Sequence, residues 1–211
     1  MRSVLFLALA STAFAADACY PTAVQGSYGF LLWGTTTVSG AAKPIASVGR
    51  LVFDGKGGIS GTSSVMFDVF LLGNPTTGTY QTHTDCSITW KLQDTSGNWQ
   101  HFSGKFSFDG THITFTQADP TGPHNGAMVK TPDACAAQTV HGKYRYRLSG
   151  AETAEGSIDG AQLSVDDDCF VSFPLGDSQF RGIVVDAGNQ VLGIRSNPGA
   201  PATIRMQRTA P

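Results

Sequence analysis

The sequence predicts an all-β fold: an antiparallel barrel of about eight strands followed by a smaller, related β half. Three observations predict it. Asp-Gly turn signals separate short runs rich in Phe, Val, Ile, Tyr and Thr. Apolar residues alternate with period two. A cysteine–glycine–tyrosine frame occurs twice along the chain.

The turns punctuate the whole chain. Phe53-Asp54-Gly55-Lys56-Gly57-Gly58, Phe108-Asp109-Gly110 and Ile158-Asp159-Gly160 set Asp-Gly beside strand-like residues, and Asp186-Ala187-Gly188-Asn189 parts Ile183-Val184-Val185 from Val191-Leu192-Gly193-Ile194. Asp-Gly suits the positive φ angles of tight hairpins. The first strand carries Tyr28, Phe30 and Leu32 on one face. Further strands are expected near Ser47–Phe53, Ile59–Leu72, Gly78–Leu92, Trp99–Phe108 and His112–Gln117. The second half offers Ala151–Ile158, Gln162–Val165, Cys169–Phe173, Phe180–Val185, Val191–Arg195 and Thr203–Gln207. Tyr144, Tyr146 and Leu148 alternate with Lys143, Arg145 and Arg147, a solvated basic face. Leu31 and Trp33 lie opposite Tyr28 and Phe30. Leaving both in water is costly, so they are expected to cover the other half or a protein partner.

The N-terminus reads as an export signal over residues 1–16: a basic Met1-Arg2, an apolar Val4–Ala10 and a small-x-small Ala13-Phe14-Ala15. The apolar run is too short for a membrane span. Charge is sparse, with 14 Lys+Arg against 16 Asp+Glu. That gives no basic field for nucleic acid or anionic lipid. The expected location is extracellular, where four cysteines are best read as two disulfides. No Cys-x-x-Cys or adjacent His-Cys pair suggests a metal, and no cofactor motif is found.

Spacing alone permits three pairings; the repeat selects one. Asp17-Ala18-Cys19 leads to Gly26 and Tyr28, and Asp133-Ala134-Cys135 leads to Gly142 and Tyr144, with the glycine seven and the tyrosine nine residues after each cysteine. Each half then holds one more cysteine after an aspartate, at Asp85-Cys86 and Asp168-Cys169. The symmetric pairing is Cys19–Cys86 and Cys135–Cys169. The gap is 67 positions in the first half and 34 in the second, so the second is a trimmed copy lacking much of Lys43 to Thr79. The expected units are residues 17–131 for the barrel and 132–211 for the shortened repeat, divided at Lys130-Thr131-Pro132-Asp133.

Gly26-x-Tyr28-x-Phe30, Gly49-Arg50-Leu51-Val52-Phe53-Asp54-Gly55-x-Gly57, Gly61, Gly78-Thr79-Tyr80 and Asp85-Cys86 together resemble the allene-oxide-cyclase-barrel-like proteins, which belong with the lipocalin-like and dirigent-like small barrels. The resemblance covers Gly26 to about Val129. It implies an eight-stranded barrel, filled or holding one small ligand. It also implies that any enzyme would be a cofactor-free cyclase or isomerase of a polyketide, terpenoid or oxidised lipid.

Few residues bear chemistry. Gly-x-Ser-x-Gly, His-Glu-x-x-His and a phosphate loop before a helix are missing. His83 and Asp85 share a strand face, and a His–carboxylate pair can move protons if desolvated. With Tyr80 they are the catalytic candidates. Tyr28, Phe30, Phe67, Tyr80, Trp90, Phe106, Phe108 and Phe115 are the candidates for lining a ligand cavity. His124 reads as a loop residue beside Pro123. The functional expectation is a secreted barrel that binds a small apolar molecule or acts at a surface. The alternatives are the cofactor-free enzyme and a secreted effector or surface interaction protein.

Overall fold

A computed structural model describes residues 19–119, 124–150 and 152–209. The expected export signal lies outside these residues. Eight antiparallel strands close a barrel in chain order: β1 Gly26–Val38, β2 Ala41–Phe53, β3 Gly58–Met66, β4 Phe70–Thr82, β5 Ser87–Asp94, β6 Trp99–Phe106, β7 His112–Gln117 and β8 His124–Lys130. Closure comes from β8, which pairs with both β7 and β1. The barrel is followed by β9 Lys143–Gly150, β10 Ala154–Asp159, β11 Ser164–Val165, β12 Phe170–Leu175, β13 Ser178–Val185, β14 Gln190–Arg195 and β15 Ala202–Arg208. These form a second antiparallel sheet in the order β10-β9-β15-β14-β13-β12-β11.

That order is the barrel's own order, β2-β1-β8-β7-β6-β5-β4, with the counterpart of β3 missing. One absent strand explains why the second sheet does not close. Its edges are blunted: β11 is two residues long, and β10 carries Glu155 and Asp159, which disfavour pairing with a further strand. The two sheets repeat each other in detail. Tyr28 Oη donates to the Gly110 carbonyl and Tyr144 Oη to the Gly188 carbonyl, each at 2.5 Å. Lys130 covers the first ring and Arg208 the second. Cys19 bonds Cys86 and Cys135 bonds Cys169, the pairing that the repeat selects. Cys86 and Cys169 both take a positive φ, at 65° and 70°, as the chain turns into β5 and β12.

Several expected strands are corrected. The run Ile59–Leu72 is two strands, because the chain turns at Phe67–Val69 between β3 and β4. Gly78–Leu92 is also two, broken where Cys86 N–H turns back to the His83 carbonyl. Trp99–Phe108 ends at Phe106: Ser107-Phe108-Asp109-Gly110 is a turn closed by Gly110 N–H on the Ser107 carbonyl. His124 opens a strand instead of lying in a loop.

The two-faced first strand is resolved by the contact between the sheets. Tyr28, Phe30 and Leu32 point into the barrel core. Leu31 belongs, with Ala46, Val48 and Met66, to the core of the second sheet, and Trp33 packs against it. The partner expected for Leu31 and Trp33 is therefore the chain's own second half, not another protein. The approach is close: a Cβ at Gly29 would sit 2.5 Å from Val185 Cγ1 and 2.8 Å from Ile183. Arg50 crosses the same junction, bonding Asp168 at 2.9 Å and the Asp133 carbonyl at 2.8 Å.

The Asp109 turn supports the hydroxyl anchor of Tyr28. Its carboxylate accepts from Ser107 Oγ, Thr111 N–H and Thr111 Oγ1. Those bonds, led by Ser107, pull its pKa down to about 2. Because the folded value is depressed, the stabilisation is complete above the unfolded value near pH ~4. It is lost as pH falls toward 2. Asp109→Asn is expected to flatten this acid limb in urea midpoints measured between these pH values.

Candidate functional site

The barrel interior divides into a sealed end and an open end. At the sealed end Tyr28, Phe53 and Tyr80 pack edge to face, with centroids 5.2 and 4.9 Å apart. The segment Cys19–Gln25 covers them. Val24 is fully buried, Tyr80 Oη donates to its carbonyl at 3.1 Å, and Thr82 Oγ1 donates to the Pro21 carbonyl. The disulfide to Cys86 pins this plug to the turn before β5.

Above the floor lies a cavity of ≈ 490 Å³ that opens at the other end of the barrel. Its lower wall is Phe30, Leu51, Trp90, Phe102, Phe115 and Met128. Trp90 stacks on Phe102 with centroids 5.1 Å apart, and its ring meets the edge of Phe115. Glycine makes room for these rings: a Cβ at Gly49 would strike Phe30, and one at Gly126 would strike Phe115. The upper wall is polar and includes Ser47, Ser63, Thr76, Gln117, Asp119 and His124.

His124 is the most informative of these. It is 3% exposed, and its Nδ1 lies 2.6 Å from Gln117 Oε1. Gln117 Nε2 donates to Asp119 Oδ2 at 3.0 Å. Asp119 also accepts from the His101 backbone N–H and bonds the His101 ring at 2.9 Å. A relay therefore runs from the exposed His101 through Asp119 and Gln117 to the cavity wall. Because the Gln117 oxygen accepts, the network places the His124 proton on Nδ1. Nε2 is then a lone-pair acceptor, buried and without a hydrogen-bond partner among the described residues. Burial pushes the His124 pKa down, opposed by the Thr35 backbone and the Asp119 charge. Burial raises the Asp119 pKa, but bonds from His101 and Gln117 outweigh it, and the net direction is down. Trp90 Nε1 is a second buried polar atom with no partner among the described residues. A neutral imidazole, an ionised carboxylate and an indole N–H around an apolar chamber can orient a polar group and can accept a proton.

Of the cavity candidates, Phe30, Trp90 and Phe115 line the chamber. Tyr28, Tyr80 and Phe106 belong to the barrel core with them but do not line it; Tyr28 and Tyr80 close the floor. Phe67 sits in the β3–β4 turn. Phe108 is 54% exposed and meets Tyr20 edge to face. The catalytic candidates are not brought together. Tyr80 is committed to Val24, whereas His83 and Asp85 are exposed on the turn before Cys86. There Asp85 binds Ser87 and Lys105. Sequence reasoning placed His124 in a loop and did not single out Gln117 or Asp119 as site residues. Period two in His124-x-Gly126-x-Met128 and in Phe115-x-Gln117-x-Asp119 is the signal that places them on the inner wall.

Among the described residues no group of three or more His, Cys, Asp or Glu is arranged to hold a metal, and no helix is long and apolar enough to cross a membrane. No protein-family model and no curated protein matches the chain. Among solved structures it is similar to a candidate AttH from Nitrosomonas europaea, at 8% identity over 95% of this chain and 99% of that one, with a TM-score of 0.30. A likeness at that level carries no argument about function.

Proposed function

We propose that the protein is a secreted barrel that takes one small, mainly apolar molecule into its open end and holds the molecule's polar group at the rim. The observation that carries this reading is the cavity, sealed and aromatic below, polar above, and within the ~300–1,000 Å³ typical of ligand pockets. The two disulfides fit an extracellular setting. A closed eight-stranded barrel is the architecture that a small-ligand carrier of the allene-oxide-cyclase-like or lipocalin-like kind requires. His124 Nε2 and Trp90 Nε1, both without a partner among the described residues, favour a ligand bearing a hydroxyl group on an apolar body. A hydroxyl both donates and accepts, and pairing either buried group removes a cost of about 1–3 kcal/mol.

Tryptophan fluorescence tests this, because Trp90 and Trp99 both line the cavity. Hydroxylated isoprenoids and medium-chain fatty alcohols are expected to quench saturably, one molecule per chain. Replacing His124 by phenylalanine is expected to weaken the hydroxylated ligands about tenfold, equivalent to ~1.4 kcal/mol, and to spare the matching hydrocarbons. Absence of any saturable quenching would remove the proposal.

A second reading, a cofactor-free isomerase or cyclase, is favoured by the His101–Asp119–Gln117–His124 relay, which could hold His124 as a neutral base. Product formation that survives in a His124→Phe variant with ligand uptake intact would eliminate it.

A further inference from the structure

Beside the junction with the barrel, β9, β10, β14 and β15 present two neighbouring rungs on the face of the second sheet that also carries Ile183 and Val185. The first runs Glu155–Arg147–Arg205–Leu192, and the second runs Ser157–Arg145–Gln207–Gln190. Residues directly opposite in antiparallel strands point to the same side, and residues two apart on a strand share that side. Three guanidinium groups therefore converge with one carboxylate. They line a groove of ≈ 320 Å³ together with Gln190 and Gln207.

The arrangement is unfavourable unless something balances it. Arg147 and Arg205 are directly opposed like charges, which destabilise a sheet. Glu155 answers only Arg147, at 2.9 Å in an exposed pair, and such pairs contribute little. Arg205 is held against the Trp33 ring, 5.0 Å from its centroid, which fixes the guanidinium without neutralising it. Desolvation lowers its pKa, and among the described residues no carboxylate pairs with it. The chain as a whole carries a formal charge of −2, so a local excess of cations is not a consequence of composition.

We propose that this groove is a second binding site, for an oxyanion: a carboxylate, sulfate or phosphate group, free or borne on a glycan. Planar guanidinium forks match such groups two bonds at a time. The glutamine amides add neutral donors at the groove's other end. The site is separate from the barrel cavity, and its test does not depend on what the cavity binds.

The experiment titrates the full chain with inorganic phosphate, inorganic sulfate and an oligogalacturonate at constant ionic strength, reading heat of binding and melting temperature. Saturable binding by at least one probe is expected. The double variant Arg145→Gln/Arg147→Gln is expected to weaken it tenfold or more. Glu155→Gln, which removes the one carboxylate lining the groove among the described residues, is expected to tighten it severalfold. Preference for the oligogalacturonate over the inorganic ions identifies a glycan-borne group; the reverse identifies a free anion. A response matched by chloride, or equal responses from wild type and both variants, overturns the proposal.

Discussion

Replacing Cys19 and Cys86 together by alanine is expected to lower the unfolding free energy by about 4 kcal/mol. The bridge closes a loop with a separation of 67 residues. The chain-entropy relation assigns a loop of that size roughly 4 kcal/mol, through restriction of the unfolded ensemble. A second, local effect adds to this. The same bridge holds the Cys19–Gln25 plug over the floor of the cavity, where Tyr80 Oη and Thr82 Oγ1 bond the plug's backbone. The variant should therefore lose stability and also open the sealed end, exposing Tyr28, Phe53 and Tyr80. Urea denaturation reads the first effect, and binding of an environment-sensitive dye below the midpoint reads the second. The matching double substitution at Cys135 and Cys169, with a separation of 34, should cost nearly as much stability, because the entropy grows only with the logarithm of loop length. It should leave the barrel floor closed. Equal dye binding by the two variants would show that the plug is held without its disulfide.

The second large effect is at Gly29. Leucine there would drive its side chain into Val185 and Ile183, both fully buried. Neither neighbour can yield, because each lies in β13 between paired strands and packs in the same core as Leu31 and Val48. Overpacking of this kind costs about 3 kcal/mol. The cost falls on the junction between barrel and second sheet, not on either interior. The expected outcome is a thermogram that splits from one transition into two, the second half melting first because its sheet is open at both edges. Leu31→Ala should weaken the same junction by a cavity instead of a clash, at about 2–5 kcal/mol. Ligand uptake read through Trp90 should survive in Gly29→Leu, since Gly29 faces away from the chamber. A single transition at the wild-type temperature would mean that the halves are not coupled through this contact.

The chemistry was far less legible than the architecture, and His124 shows why. Its strand, His124-Asn125-Gly126-Ala127-Met128-Val129-Lys130, holds polar and small residues where strand propensity asks for branched or aromatic ones. Read locally it is a loop after Pro123. It is a strand because it pairs with the open edges of both β7 and β1. Gly126 is needed there for the Phe115 ring. The same blindness affected Phe108. Its parity matches Phe102 and Phe106, but the Ser107–Asp109 hydrogen bonds turn the chain one residue earlier. His83 and Asp85 share a parity, yet β4 ends at Thr82 and both lie in the turn that Cys86, with its positive φ, leads into β5.

Local alternation, turn chemistry and the doubled cysteine frame were enough for the β class, the two related halves and the pairing of the sulfurs. Each of these depends on interactions between residues near in sequence, or on a pattern that duplication writes twice. Tertiary structure alone decided that eight strands close and seven do not, that Leu31 and Trp33 are covered by the same chain, and that the chamber's polar groups are Gln117, Asp119 and His124. Those outcomes depend on which edges and faces remain unsatisfied once the strands have formed, and that is a property of the assembled sheets, not of any segment read by itself.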